Sequence, residues 1–433
     1  MSDFQRPAVA SVGAPDSRPA DCYDAPELLP ADEALRRINE AMEPVAAIEQ
    51  VHLRGALGRV LASDVASPLD VPGFTNSAMD GFAVVGQDVE ASEKELVELS
   101  VRGTAWAGKP FDGPVTPGTC VRIMTGAVMP AGADTVVMQE QVELCGDRVR
   151  IEPVHRAGQN VREAGEDLRR GATVLSAGHP LLAAELGLLA SLGIGEVPVL
   201  RRLRVATFST GDEIRSLGQS LEPGQIYDSN RYTLFGMLSR LGVDIVDLGV
   251  IADREDSIRE AFAEAAACAD VVITSGGASA SEADFVAETL QDLGSVRFWR
   301  IAIRPGRPLA FGRIGDAFVF GLPGNPVAVM VTFYQFVQPA LRRMMGERDA
   351  RPVPMLRARV SEGLRKKPGR VEYYRAVVSR TSEGDLAVAQ TGKSGSALLH
   401  TMSDANCFIV LPDASGSIEA GEWVDIQPFF GLV

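Results

Sequence analysis

Asp270-Val-Val-Ile-Thr-Ser-Gly-Gly-Ala-Ser-Ala-Ser-Glu-Ala-Asp284 is the stretch on which the fold turns. Asp270 to Thr274 is a short apolar, β-branched run of the kind that fills a buried parallel strand. Ser275-Gly276-Gly277 break it, and Ser281-Glu282-Ala283-Asp284 open an amphipathic helix that runs through Val286 and Leu290 towards Leu293. A strand feeding a helix through a glycine turn aims free backbone N–H groups and a positive helix end at one spot, which suits an anion. Taken alone, the stretch reads as an ordinary strand-to-helix turn.

Two neighbouring stretches repeat the design. Leu203 to Phe208 is apolar and ends in Ser209-Thr210-Gly211-Asp212-Glu213. Ala317 to Phe320 ends in Gly321-Leu322-Pro323-Gly324-Asn325-Pro326, with a helix expected from Val327 to about Met345. Three such strand ends predict one crevice at the carboxyl edge of a parallel sheet. Neither G-x-G-x-x-G nor G-x-x-x-x-G-K-[ST] occurs, so nucleotide binding does not rest on those patterns.

A chain of 433 residues with 46% hydrophobic content has room for about three well-packed domains. A net charge of −15 argues against nucleic acid and anionic membrane as partners. Five scattered cysteines without C-x-x-C read as thiols of a reducing compartment, and four histidines without H-E-x-x-H speak against a zinc hydrolase. With no transmembrane-length apolar run and no signal-peptide pattern, the expected location is cytoplasmic.

In chain order, residues 1–27 read as a disordered tail rich in Ala, Pro, Ser and Asp. Residues 28–66 and 154–202 read as a discontinuous helical and linking domain, opened by a helix from Pro30 with Leu35, Ile38 and Met42 on one face. Between them, residues 67–153 are dense in Gly and Pro with short strand-like runs, the pattern of an inserted β domain. Gly81 is expected to make a tight turn before the run from Phe82, with Asp80 at that turn. Asp80 can cap its own turn or serve chemistry, Thr125 can be a turn residue, and Glu166-Asp167 can be a solvated pair; the residues alone leave these open. Strand–helix alternation over 203–348 fits a doubly wound α/β sheet. Ser229 or Asn230 is placed to cap a helix from Tyr232. From 350 to 433, short strands between Gly-rich loops predict a compact β barrel.

Asp212, Glu213, Asp253 and Asp284 all fall at expected carboxyl ends of strands. Converging carboxylates repel one another, and Mg2+ relieves this by taking their oxygens together with substrate phosphates. Arg300, Arg304 and Arg307 lie in WRIAIRPGRPLAFG, where Pro305-Gly306 make a turn that presents them, and arginine grips oxyanions with a forked donor pair. A crevice of both signs suits an anionic, metal-bridged substrate.

NSAMDGFAV (76–84), RIMTGA (122–127), GQN…GED (158–167), FSTGDEI (208–214), GQIYDSNR (224–231), TSGGASASEADF (274–285), PGRPLAFG (305–312) and GLPGNPVAV (321–329) together resemble the MoeA family of molybdopterin molybdenumtransferases, related to the E domain of gephyrin. The likeness runs in one order over about residues 28 to 430. It implies a homodimer of four-domain subunits, with the site between the α/β domain of one subunit and the other subunit. The implied reaction joins molybdate to adenylyl-molybdopterin, releases AMP and gives molybdenum cofactor; candidate partners are molybdopterin adenylyltransferase and molybdoenzyme apoproteins.

Carried over motif by motif, the resemblance implicates Asp80, Thr125, Glu166, Asp167, Asp212, Glu213, Asp253 and Asp284, with Arg375 and Ser396 from the barrel. In this scheme Ser275, Gly276, Gly277 and Pro323-Gly324-Asn325-Pro326 hold pterin and phosphates. Glu213 and Asp284 hold Mg2+, Arg304, Arg307, Arg375 and Ser396 receive molybdate, and Arg300 is a further substrate-binding residue. A proton would come from Asp80 or Asp253, its pKa raised by acidic neighbours. The family commonly has lysines where these three loop arginines stand, and a more usual V-S-x-G where Ala278 to Ser281 stand. Two rival functions are the adenylyltransferase reaction and a non-catalytic, gephyrin-like scaffold.

Overall fold

The computed structural model describes residues 28–90, 96–152, 155–276, 285–348, 353–392 and 395–430. The expected tail, Gly277, Asp284 and the start of the helix at Ser281 lie outside them. The chain divides into two units: residues 48–199 form one, and the segments before and after them form the other. No helix among the described residues is long and apolar enough to cross a membrane.

The first helix is α1 (Ala31–Ala41). Its buried residues Ala34 and Ile38, with Met42, join the core of the α/β unit. An amphipathic stripe shows that a helix needs cover but not which sheet supplies it.

Within residues 48–199, six strands form one sheet: β1 (Gly81–Val84), β2 (Val97–Ala105), β3 (Thr119–Ile123), β4 (Thr135–Met138), β5 (Val142–Cys145) and β6 (Arg148–Ile151), in the order β4-β1-β3-β2-β6-β5. Alternate residues of β1 feed different clusters, Phe82 and Val84 one and Ala83 the other, so both faces of this sheet are buried. Gly81 is not a turn glycine. A Cβ there would lie 2.0 Å from the Val137 carbonyl oxygen, so its small size is what lets β1 sit against β4.

In the other unit the central sheet contains β7 (Arg204–Thr210), β8 (Asp244–Ile251), β9 (Val271–Ser275), β10 (Ser295–Arg300), β12 (Pro308–Ile314) and β13 (Ala317–Leu322); the short β11 (Ile303–Arg304) lies between β10 and β12 in sequence. The order is β8-β7-β9-β13-β12-β10, with the first four parallel. Val205, Val271 and Ile273 point to the face covered by α1 and by α2 (Ser229–Leu241), whereas Ala206, Phe208 and Val272 meet α3 (Glu255–Cys268). Two covered faces are why these strands are apolar almost throughout. Helices on both faces make the sheet doubly wound.

Strand–helix alternation did not signal the antiparallel edge. β12 and β13 form a hairpin through Gly315-Asp316, with Ile314 opposite Ala317, and Gly315 takes φ 56°, as a two-residue hairpin turn requires. At its start β9 is tied by Asp270, which accepts both Arg201 guanidinium nitrogens at 2.8 and 2.6 Å and the Arg204 amide at 2.8 Å.

The C-terminal strands β14 (Leu356–Val360), β15 (Val371–Arg380), β16 (Leu386–Gln390), β17 (Cys407–Leu411) and β18 (Trp423–Pro428) pair in the ring β15-β16-β14-β18-β17-β15. This is a closed five-stranded barrel. Cys407, Ile409 and Leu411 fill its interior, while Phe408 and Val410 on the same strand turn outward into the α/β core.

Candidate functional site at the carboxyl edge of the sheet

The connection from β7 leads through α2 to β8 on one side, and β9 lies on the other, so the strand order reverses between β7 and β9. Such a switch point opens a crevice beyond the carboxyl ends. The ends of the two strands meet there: Ser209 Oγ lies 3.2 Å from Ser275 Oγ. Gly276 follows with φ 92°, its amide donating to the Leu322 carbonyl at 3.2 Å. A Cβ on Gly276 would stand 2.8 Å from the Thr210 carbonyl oxygen. The GLPGNP turn leaves β13 at the same edge, with Pro323 buried and Gly324 and Asn325 exposed.

Strand register also brings the arginine loop to this edge. β12 is antiparallel to β13, with Ala310 opposite Gly321, so its start at Pro308 lies beside the end of β13. β10 ends with Arg300 opposite Pro308. The 301–307 turn therefore projects from the carboxyl edge, and Arg300, Arg304 and Arg307 are all exposed. Arg304 is also 3.8 Å from Glu372 of the barrel.

Asp212 and Glu213 are exposed and Asp253 is partly buried. Burial, then the charges of Asp212 and Glu213, push the Asp253 carboxyl above its ordinary range. Asp253 thus feels the charges at the end of β7 from the end of β8. No three His, Cys, Asp or Glu side chains among the described residues are grouped to hold a metal on their own.

The barrel contributes a turn at residues 395–399. The amide of Val327, at the head of the helix Pro326–Thr332, donates to the Ser396 carbonyl at 3.0 Å, which places Ser396 beside the GLPGNP turn. Arg375 departs from the open anion receptor that was expected. It is 3% exposed, its Nε donates to Thr401 Oγ1 at 3.1 Å, and an Nη donates to the Gly395 carbonyl at 3.2 Å. Its guanidinium braces the turn that carries Ser396.

In the 48–199 unit, Asp80 and Thr125 come together. Asp80 Oδ1 accepts from both the amide and the hydroxyl of Thr125 at 2.7 Å. These bonds, the backbone one first, hold the Asp80 carboxyl below its usual range, with Arg122 adding to the effect. The expectation of a raised pKa is corrected here: hydrogen bonds to the ionised form, not acidic neighbours, dominate around Asp80. Glu166 and Asp167 are exposed in a loop bound along residues 70–72, the Asp167 amide donating to the Val71 carbonyl at 3.0 Å.

Sequence reasoning missed two residues within GQIYDSNR. Asp228, not Ser229 or Asn230, caps α2, accepting from the Arg231 amide at 3.1 Å. Asn230 is buried and its Nδ2 donates to the Gly324 carbonyl at 2.8 Å, fastening the GLPGNP turn to α2. Asp228 Oδ2, Asn230 Oδ1 and Thr274 Oγ1 are buried and lack a hydrogen-bond partner among the described residues. Buried polar oxygens call for partners. The available signal was an Asn inside the helix, where its propensity is poor.

Fold and site together define a multidomain α/β protein that brings hydroxyls, arginines and acids to one sheet edge. Three family models match in order: the MoeA N-terminal region (domain I and II) over residues 29–193, the probable molybdopterin binding domain over 206–343, and the MoeA C-terminal region (domain IV) over 357–429. A molybdopterin molybdenumtransferase of Haemophilus influenzae is 42% identical over 94% of this chain and 100% of its own length. One from Nostoc is 38% identical over 86% of this chain and 87% of its own. The crystal structure of a molybdopterin biosynthesis moeA protein from Pyrococcus horikoshii aligns with a TM-score of 0.80 at 30% identity, covering 93% of this chain and 100% of that one. The chain belongs to the MoeA family of molybdopterin molybdenumtransferases.

Proposed function

We propose that the protein inserts molybdenum from molybdate into adenylyl-molybdopterin, releases AMP and yields molybdenum cofactor. The observation that carries this reading is the register that sets the arginine turn 301–307 at the carboxyl edge where Ser209, Ser275 and Gly276 converge. Ser275, Gly276, Gly277 and residues 323–326 hold the pterin and phosphates through hydroxyls and backbone donors. Arg300, Arg304, Arg307 and Ser396 receive molybdate, an oxyanion suited to forked donors and a hydroxyl. Arg375 acts by fixing the Ser396 turn.

Exchanging a molybdate oxygen for a thiolate sulfur forms an Mo–S bond and breaks an Mo–O bond, and the departing oxygen takes up protons to leave as water. Asp253, whose carboxyl is raised, supplies a proton; Asp80, held ionised, accepts hydrogen bonds instead. Asp212 adds an exposed carboxylate to the sheet edge, and Thr125, Glu166 and Asp167 are exposed polar groups of the 48–199 unit. The carboxylates are hard oxygen donors, and Mg2+ is commonly held by one or two of them plus substrate phosphates. Glu213, with Asp284, would hold it on the pyrophosphate, where it neutralises phosphate charge.

The reading extends to a cytoplasmic homodimer. Cys120, Cys145, Cys268 and Cys407 are free, as in a reducing compartment. Tyr232 and Phe235 are about half exposed, at 49% and 54%, on one face of α2. Light scattering should return twice the chain mass at micromolar concentration; a monomer mass there would remove the dimer from the scheme. The reaction itself is separated from adenylyl transfer by two incubations. Adenylyl-molybdopterin with molybdate and Mg2+ should yield AMP and a product that activates an apo-molybdoenzyme. Molybdopterin with ATP and Mg2+ should yield no adenylylated product, and its formation there would favour the adenylyltransferase.

A further inference from the structure

We propose that Glu372 is a positioning residue for Arg304, holding the arginine turn in register with the barrel so that its donors face the oxyanion. The inference rests on the assignment of Arg304 to molybdate and deepens it. Glu372 is 2% exposed yet faces three partners. Its Oε1 accepts from Arg370 Nε at 2.9 Å, its Oε2 accepts from the Tyr374 hydroxyl at 2.6 Å, and Arg304 Nη1 stands 3.8 Å from Oε2. A buried carboxylate is retained only where its charge and lone pairs are met, and here Arg370 and Tyr374 meet them from within the barrel. Burial and the neighbouring Glu372 keep the Tyr374 phenol protonated, so it remains a donor.

The backbone carries the same link. β11 pairs in parallel with β15, Arg304 opposite Glu372, and the Val371 amide donates to the Ala302 carbonyl at 2.8 Å. On the far side of the turn, a Cβ on Gly306 (φ 105°) would fall 2.5 Å from Thr332 Oγ1, so the turn is seated between barrel and helix. Arg300 and Arg307 make no ion pair among the described residues, whereas Arg304 does. At 3.8 Å the pair is longer than a hydrogen bond and engages one nitrogen, which leaves the rest of the fork for an oxyanion.

Two roles for Glu372 make opposite predictions. As a buried negative charge near an anion site it would only repel molybdate, and Glu372→Gln would then tighten binding. As a tether for Arg304, its loss frees the arginine, and binding weakens. The expected result for Glu372→Gln is an apparent molybdate KM raised about tenfold, with the KM for adenylyl-molybdopterin within about twofold of wild type. Glu372→Asp, which keeps the charge, should recover most of the loss. Hydrogen exchange over residues 301–307 should quicken in Glu372→Gln while the central strands β7 and β9 stay protected. A molybdate KM unchanged or lowered, together with unaltered exchange over 301–307, would overturn the proposal. Arg304→Ala separates this from the reading beneath it: if that variant leaves the molybdate KM unchanged, Arg304 is not a molybdate ligand, and the exchange data still decide whether Glu372 anchors the turn.

Discussion

Asp253→Asn is expected to lower kcat by about 10²- to 10³-fold, the range for removing a positioned general acid, with little change in the KM for adenylyl-molybdopterin. The amide keeps the shape of the carboxyl and loses its proton. Burial first, and then Asp212 and Glu213, raise the Asp253 pKa above the ordinary carboxyl range. The protonated form therefore persists to higher pH than for an exposed aspartate. A rate that needs this acid is full below the raised pKa and falls about tenfold per pH unit above it. In Asp212→Asn one repelling charge is gone, the Asp253 pKa drops, and the falling limb moves to lower pH. Single-turnover pH profiles check both statements. An Asp253→Asn enzyme with wild-type kcat, or a limb that does not move, would take the proton donor away from Asp253.

Gly276→Ala should weaken adenylyl-molybdopterin binding by about 10- to 100-fold, a loss of roughly 1.4 to 2.8 kcal/mol. Two independent causes act at this residue. Its φ of 92° is a conformation that costs an L residue about 1–3 kcal/mol. The added methyl would also lie 2.8 Å from the Thr210 carbonyl oxygen, which is backbone at the end of β7 and cannot swing aside. The turn must move, and with it the amide that donates to the Leu322 carbonyl. Equilibrium binding of adenylyl-molybdopterin without molybdate measures the effect, and hydrogen exchange in β7 and β9 shows whether the sheet stays intact. Affinity within twofold of wild type would mean that the substrate does not use this turn.

Much of this arrangement was legible in the residues. Leu203 to Phe208, Asp270 to Thr274 and Ala317 to Phe320 are apolar because both faces of their sheet are covered, so they stand out as buried strands followed by small residues. The barrel was legible for a related reason, alternation between interior and α/β-facing side chains on short strands. Long-range pairing was not. Nothing local in Arg304 or Glu372 shows that they oppose each other across two strands, or that Arg375 turns inward to Thr401. The raised pKa expected of Asp80 went wrong for the same reason: its titration is governed by Thr125, 45 residues away in sequence. Gly81 looked like a turn residue because glycine has two uses, and only the 2.0 Å approach of Val137 distinguishes them.

The central claim is that one sheet edge holds adenylyl-molybdopterin while arginines beside it deliver molybdate. AMP release from adenylyl-molybdopterin by the wild-type protein with Mg2+, followed against molybdate concentration, tests it most directly. Saturable, molybdate-dependent AMP release that loses its molybdate dependence in Arg304→Ala is the predicted outcome. AMP release that is the same with and without molybdate, or none at any concentration, would contradict the account.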